Sequence, residues 1–256
     1  MMRYCNLLRN LSNGPLYLAA KFGLTHADPL LFRTRRGVRI EVPRRLLQTF
    51  KEIFMDECYL KGLGCSVPEN SVVLDIGANA GYFSMFALSR FDGARVFAFE
   101  PMPANFRLLE RNRDLNPDRP LVCLPKAVAG ESGELVLAYD AADAFSTSAT
   151  VFGEDSGQKD RIRVPAVTIP GILKEYGLER CDLLKMDCEG AEYDILYRCP
   201  PEDLSRIGRI AMEVHRGPGA DQNIDALEAF LRAAGFATRQ RPVGMLWAWR
   251  EENAGG

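Results

Sequence analysis

The stretch Ser71–Ser84, SVVLDIGANAGYFS, runs from an apolar segment through an acid and a glycine-rich turn into a second apolar segment. That order predicts a strand, a turn and a helix. The β-branched, nearly continuous hydrophobicity of Ser71 to Ile76 fits a strand buried on both faces, and Tyr82 to Leu88 is apolar on every side, as an interior helix is. Both elements therefore belong to an α/β core. Gly77 and Gly81 permit a left-handed backbone or a close ligand approach, and the helix start behind them offers unpaired N–H groups to polar ligand atoms.

The glycines are spaced G-x-x-x-G after Asp75, which departs from the G-x-G-x-x-G pattern of dinucleotide sites and weighs against a nicotinamide cofactor. An acid two residues before the first glycine would repel a pyrophosphate. It can instead face the positively charged ammonium and sulfonium of S-adenosyl-L-methionine. A second strand-like run, Ala94 to Phe99, ends in Glu100, where an acid can hold a ribose diol. Asp75 and Glu100 thus frame one cofactor from adjacent strand ends.

LDIGANAGYFS, VFAFEPMPANFRLLERN, LLKMDCEGAEYDIL and AMEVH together resemble the signature blocks of the FkbM family of S-adenosylmethionine-dependent methyltransferases, over roughly Glu52 to Phe236. The resemblance implies a Rossmann-like class I methyltransferase sheet of mostly parallel strands with one antiparallel edge hairpin, preceded by a small α+β extension. It divides the chain into 1–70, the extension, and 71–256, the methyltransferase domain. It also implies O-methylation of a hydroxyl on a sugar, glycan or secondary metabolite, with the cofactor held by Asp75, Gly77, Ala78, Asn79, Gly81, Phe83, Glu100 and Asp187.

At 256 residues and 47% hydrophobic content the chain can build one sizeable core. A net charge of −2, with no basic tract and no zinc-like spacing, argues against nucleic-acid binding. Seven cysteines with no C-x-x-C pair fit reduced thiols in a cytoplasmic protein. The apolar residues of Met1 to Leu24 are interrupted by Asn10, Ser12, Asn13, Gly14 and Pro15. That excludes a membrane span and predicts a short amphipathic helix. Residues 1–70 carry 11 Lys and Arg against 6 Asp and Glu, a net +5, while 71–256 are −7. A solvated basic face, an intramolecular partner for the acidic domain, an acidic acceptor and peripheral membrane contact through 1–24 all fit this asymmetry.

Leu31 to Val42 predicts a hairpin turning near Arg36 and Gly37, and Leu46 to Leu60 a helix. Phe54 and Tyr59 are expected to pack, with a place on the site wall as the alternative. Pro103 to Leu115 predicts a helix with Phe106, Leu109 and Leu115 toward the sheet, and Leu121 to Val128 a third strand. Two further strands, Glu134 to Tyr139 and Arg161 to Val167, flank about twenty polar and small residues. That connection, including Ser146, Thr147 and Ser148, is either a substrate loop or a surface insertion.

Ile169 to Tyr176 predicts a short helix and Cys181 to Met186 a core strand ending in Asp187, where open α/β sheets bind ligands. Lys185 can neutralise an acid, Glu189 and Gly190 open the next helix, and Glu192 has the weakest functional claim. Ile207 to Val214 ends in Glu213-Val214-His215, with Glu213 and His215 on one face. A histidine beside acids is a candidate base, so Asp187, Glu213 and His215 form the expected catalytic set, while His26 reads as surface. Metal-free in-line displacement is the favoured mechanism. The alternatives are Mg²⁺ held by Asp187, Glu189 and Glu213, and a non-catalytic cofactor-binding module. Asn223 to Ala234 predicts a helix, and Phe236 to Gln240 with Met245 to Arg250 a terminal hairpin around Pro242 and Gly244. The acceptor, whether small molecule or glycan, is not legible.

Overall fold

The computed structural model describes residues 2–139, 160–241 and 243–251. In chain order its elements are α1 (Met2–Asn10), α2 (Pro15–Lys21), β1 (Leu30–Arg33), β2 (Arg39–Val42), α3 (Leu47–Phe54), β3 (Val72–Ile76), α4 (Tyr82–Arg90), β4 (Arg95–Phe99), α5 (Pro103–Asp114), β5 (Leu121–Leu124) and β6 (Ala127–Val128). They continue with β7 (Gly133–Tyr139), β8 (Asp160–Val167), α6 (Ile169–Glu175), β9 (Leu183–Met186), α7 (Glu192–Tyr197), α8 (Pro201–Leu204), β10 (Arg209–Glu213), α9 (Ile224–Ala233), β11 (Ala237–Arg241) and β12 (Met245–Trp249). The expected loop residues Ser146, Thr147 and Ser148, the turn residue Pro242 and the tail beyond Glu251 lie outside the described residues.

Seven strands form the central sheet in the order β11-β12-β10-β9-β3-β4-β5. Only β12 runs against its neighbours. β3 is buried at all five positions, as a strand covered on both faces must be. The chain lays β4 and β5 on one side of β3, then returns to place β9 and β10 on the other. The strand ends of β3 and β9 therefore flank the topological switch point where such sheets bind ligands. β11 and β12 form the expected terminal hairpin at the sheet edge, with the reversed strand β12 lying between β10 and β11.

The third predicted strand breaks in two. Pro125 has no N–H to give a ladder, and after it β6 leaves the central sheet to pair with β8 in a separate three-stranded sheet, β6-β8-β7. The predicted helix over Leu46 to Leu60 also ends early, at Phe54. Beyond it Glu57 adopts φ +46, and the chain continues as irregular turns.

Two short helices replace the single one expected before residue 24. They bury Leu7, Leu11, Tyr17 and Ala20 in the same core as Phe50, Phe54, Tyr82 and Phe86. Phe50 stacks on Phe54 at 4.7 Å and meets Tyr82 edge-on at 5.9 Å, favourable ring geometries. The buried stripe of α5 is Asn105, Leu108, Leu109 and Asn112: Leu109 is buried as expected and Phe106 packs partly buried against the core, but two asparagines share the stripe. The asparagines have a physical reason to be inside. Asn112 accepts from the Glu41 N–H at 2.7 Å and donates to the Ala80 carbonyl at 2.9 Å, and Asn116 accepts from the Arg39 N–H at 2.8 Å. They satisfy the backbone of β2 where no strand pairs with it, and so dock the N-terminal hairpin on the core. No helix among the described residues is long and apolar enough to cross a membrane.

Candidate active site

A cavity of about 440 Å³ opens over the switch point, walled by the turn after β3, the tips of β4, β9 and β10, one face of α3, and Leu135 and Leu137 of the smaller sheet. The floor is the glycine turn. Gly77 has φ +71, and a Cβ on it would lie 1.8 Å from the Asp187 carbonyl oxygen, so no other residue fits this close crossing of β3 and β9. Asn79 also adopts a positive φ, +50, a conformation asparagine tolerates better than most. Of the residues expected to hold a cofactor, Gly77, Ala78, Asn79, Phe83, Glu100 and Asp187 line the cavity, whereas Asp75 and Gly81 do not. Gly81 instead caps α4, with the position of its missing Cβ 2.6 Å from Leu109.

Asp75 is the main correction. It is fully buried and points into the protein: one carboxylate oxygen accepts from the Ser84 hydroxyl at 2.6 Å, and the other lies 3.2 Å from Lys185 Nζ. The parallel register of β3 and β9 places Asp75 opposite Lys185, so the two side chains meet beneath the cavity. Lys185 donates to the Gly77 carbonyl at 2.7 Å. Burial works against its charge, but Asp75 and Asp187 more than offset this, and its pKa is raised. Asp75 therefore anchors the cation that holds the turn.

Glu100 directly follows β4 and lines the cavity. Its oxygens accept from the backbone N–H groups of Asn79 at 2.8 Å and Met102 at 2.9 Å. Burial pushes its pKa up to about 7, while those two hydrogen bonds pull it down. Each carboxylate oxygen can still accept another hydrogen bond, which suits a diol. Beside it the buried Asn105 Oδ1 has no partner among the described residues, and Asn105 lines the cavity. An orphaned polar atom in a walled cavity fits a polar ligand with donors of its own. This donor and acceptor set, with the glycine cradle, fits S-adenosylmethionine.

On the opposite side Asp187, Glu189, Glu213 and His215 line the same cavity. Glu189 and Gly190 both have positive φ, +51 and +103, so they form a left-handed turn rather than the first turn of a helix. α7 begins at Glu192, so Glu189 and Gly190 precede the helix that they were expected to open. That turn folds Glu192 back: its Oε1 accepts from the Cys188 N–H at 3.2 Å and lies 3.1 Å from His215 Nδ1. Glu192, given the weakest claim from sequence, is the fully buried partner of the histidine. Its sequence signal was its place in the acid cluster Asp187, Glu189 and Glu192.

His215 Nε2 stands 3.6 Å from Glu189, and the Tyr193 hydroxyl donates to the His215 carbonyl at 2.7 Å. The hydrogen bond to Glu192, opposed by burial, raises the imidazole pKa to about 9. Burial, partly relieved by His215, lifts Glu189 to about 7. Glu213 is also raised, by burial and then by Asp187. Tyr59, expected to pack, donates its hydroxyl to Asp187 Oδ2 at 2.8 Å, while Phe54 packs as expected. The oxygen-only set proposed for Mg²⁺ is not the one assembled: among the described residues the donors within 4.8 Å of one another are Asp187, Glu189 and His215. A histidine with Nδ1 on Glu192 and Nε2 facing Glu189 is a poor substitute for the Glu213 oxygen at a Mg²⁺ site.

Comparison with known proteins agrees with this geometry. Residues 75–237 match the family model described as the methyltransferase FkbM domain. The chain is 30% identical over 216 residues to the 31-O-demethyl-FK506 methyltransferase FkbM of Streptomyces tacrolimicus, covering 73% of this chain and 80% of that one. It is 32% identical over 232 residues to the AMB antimetabolite synthetase AmbE of Pseudomonas aeruginosa, covering 77% of this chain but spanning only 11% of that protein's length. The solved structure of a methyltransferase FkbM from Methylobacillus flagellatus KT superposes with TM-score 0.50 at 15% identity, covering 80% of this chain and 54% of that one, a likeness of fold. The sheet order, the cavity at its switch point and the matched residues lead to one conclusion: this chain belongs to the FkbM methyltransferase family.

Proposed function

We propose that the protein is an S-adenosylmethionine-dependent O-methyltransferase acting on a hydroxyl of a small-molecule or glycan acceptor by in-line displacement. The observation that carries this reading is the meeting, in one cavity, of a cofactor-type floor and a proton-accepting wall. The floor comprises the Gly77–Asn79 turn and Glu100; the wall comprises Asp187, Glu213 and His215. S-adenosylmethionine, when bound, supplies an electrophilic methyl group on a sulfonium. Glu100 would hold the ribose diol, and Asp187, on the far side of Gly77, the ammonium that sequence reasoning gave to Asp75. Residues 1–70 serve as a cover on the cofactor domain 71–256, closing the cavity with α3 and Tyr59.

Positioning is the larger part of the catalysis, since near-attack geometry contributes ~7–11 kcal/mol, against roughly 3–5 kcal/mol from a general base. Glu192 holds the Nδ1 proton of His215, so the neutral ring presents Nε2 as the acceptor of the hydroxyl proton. A base with its pKa near 9 is strong once neutral, and positive charge on a bound cofactor lowers that pKa toward the working range. Glu213 orients the acceptor hydroxyl. The 31-O-demethyl-FK506 methyltransferase bears the name of a small-molecule O-methylation, which supports the reaction class by analogy. Seven free cysteines support a reducing, cytoplasmic setting.

The test is incubation with methyl-labelled S-adenosylmethionine and fractionated cell extract, followed by mass analysis of the labelled product. A labelled ether is the expected product. Label on nitrogen or carbon would refute O-methylation. Cofactor binding without label in any fraction would favour the non-catalytic module.

A further inference from the structure

The irregular segment between α3 and β3 is seated on the C-terminal strand by two glycines. A Cβ on Gly62 would lie 2.1 Å from the Trp247 indole, and one on Gly64 would lie 2.2 Å from the Trp249 indole. Neither glycine has a positive φ, so what requires glycine here is the closeness of the ring faces. The Trp247 indole N–H donates to the Tyr59 carbonyl at 2.8 Å, pinning the segment where Tyr59 leaves it. At its start Glu57, in a left-handed conformation, is held by Arg9 and by the Asn10 side chain of α1. The segment is thus clamped at both ends to elements far away in sequence.

This clamp delivers the Tyr59 side chain to the β9 tip. Its ring meets Phe83 edge-on at 5.3 Å, lies 5.2 Å from Lys185 Nζ, and places the hydroxyl 2.8 Å from Asp187 Oδ2. Asp187 Oδ1 accepts no hydrogen bond among the described residues. Strands in a sheet are about 4.8 Å apart, so the tips of β4 and β9, on either side of β3, stand roughly 10 Å apart. A nucleoside whose ribose lies on Glu100 would carry its far end across Gly77 to Asp187. Asp75, buried against Lys185, is not available to receive it.

Building on the cofactor reading above, we propose that Tyr59 is a positioning residue for the aminoacyl end of the cofactor. Its hydroxyl engages one oxygen of Asp187 and commits the other to the ligand's ammonium, and the Gly62–Gly64 clamp on Trp247 and Trp249 sets its height. The N-terminal segment then reaches the aminoacyl end of the ligand through the Tyr59 hydroxyl.

The test separates the two ends of the ligand. Calorimetric titrations use S-adenosylhomocysteine, which has the aminoacyl group, and 5′-methylthioadenosine, which lacks it. Tyr59→Phe keeps the ring packing and removes only the hydroxyl. It should weaken S-adenosylhomocysteine roughly tenfold, the scale of one hydrogen bond to a charged group, and leave methylthioadenosine within about twofold. Gly64→Ala, which lifts the clamp off Trp249, should give the same split; if that variant does not fold, Tyr59→Phe decides alone. An unchanged S-adenosylhomocysteine affinity in Tyr59→Phe, or equal losses for both ligands, overturns the proposal and leaves Tyr59 a packing residue. Failure of the wild-type protein to bind either ligand overturns the cofactor reading, and this proposal with it.

Discussion

Replacing Asp75 by alanine tests whether this acid serves the ligand or the fold. The carboxylate is fully buried, 3.2 Å from the Lys185 ammonium and 2.6 Å from the Ser84 hydroxyl. Its removal leaves Lys185, itself 3% exposed, with backbone carbonyls as its hydrogen-bond partners. Breaking one side of a buried ion pair costs about 3–5 kcal/mol, because the surviving charge stays desolvated. That is a large share of the roughly 5–15 kcal/mol by which a domain is stable. At roughly 2–4 °C per kcal/mol for a chain of this size, the melting temperature should fall by roughly 6–20 °C. The assay is thermal and urea unfolding of Asp75→Ala, Lys185→Met and the double variant Asp75→Leu with Lys185→Met. The double variant should recover much of the loss, since apolar replacement of both partners removes the stranded charge. An Asp75→Ala protein that melts within 2 °C of wild type yet no longer binds S-adenosylmethionine would refute this account and return Asp75 to the ligand.

Other outcomes are expected as follows. Glu100→Ala removes the acceptor for Asn79 and Met102 as well as for the ribose; calorimetry should record more than about tenfold loss of S-adenosylmethionine affinity, and a loss under threefold would refute the assignment. Gly77→Ala places a Cβ 1.8 Å from the Asp187 carbonyl at a positive φ, so it should lower both cofactor binding and stability, measured by titration and melting. For His215, the neutral form is the base and its pKa is raised to about 9. Methyl transfer should therefore rise with pH toward that value and fall on acidification with one protonation. His215→Gln should lower kcat by about 10²-fold or more and abolish that acid limb, whereas a limb surviving in the glutamine variant assigns proton removal to Asp187 or Glu213. Glu192→Gln should move the acid limb to lower pH, because the imidazolium loses its charged partner; an unmoved limb would show that Glu192 does not act on His215.

Much of the fold is local and was legible. The run of β-branched residues into Asp75, the glycine spacing and the alternation of strands with helices specify βαβ units whatever surrounds them, and Glu100 follows from the end of β4. Which acid lines the cavity was not legible, because strand periodicity says that Asp75 and Ile76 face opposite sides of the sheet but not what lies on each side. Only the register of β3 against β9, 110 residues apart, pairs Asp75 with Lys185 and withdraws it from the cavity. Likewise Tyr59 and Asp187 stand 128 residues apart, and Glu192 meets His215 through a left-handed turn that a helix-starting pattern concealed. Backbone preference acts over a few residues and is written in the sequence; the pairing of charges and hydroxyls across a site depends on which elements the tertiary fold brings within 3 Å, and that is decided only when the core packs.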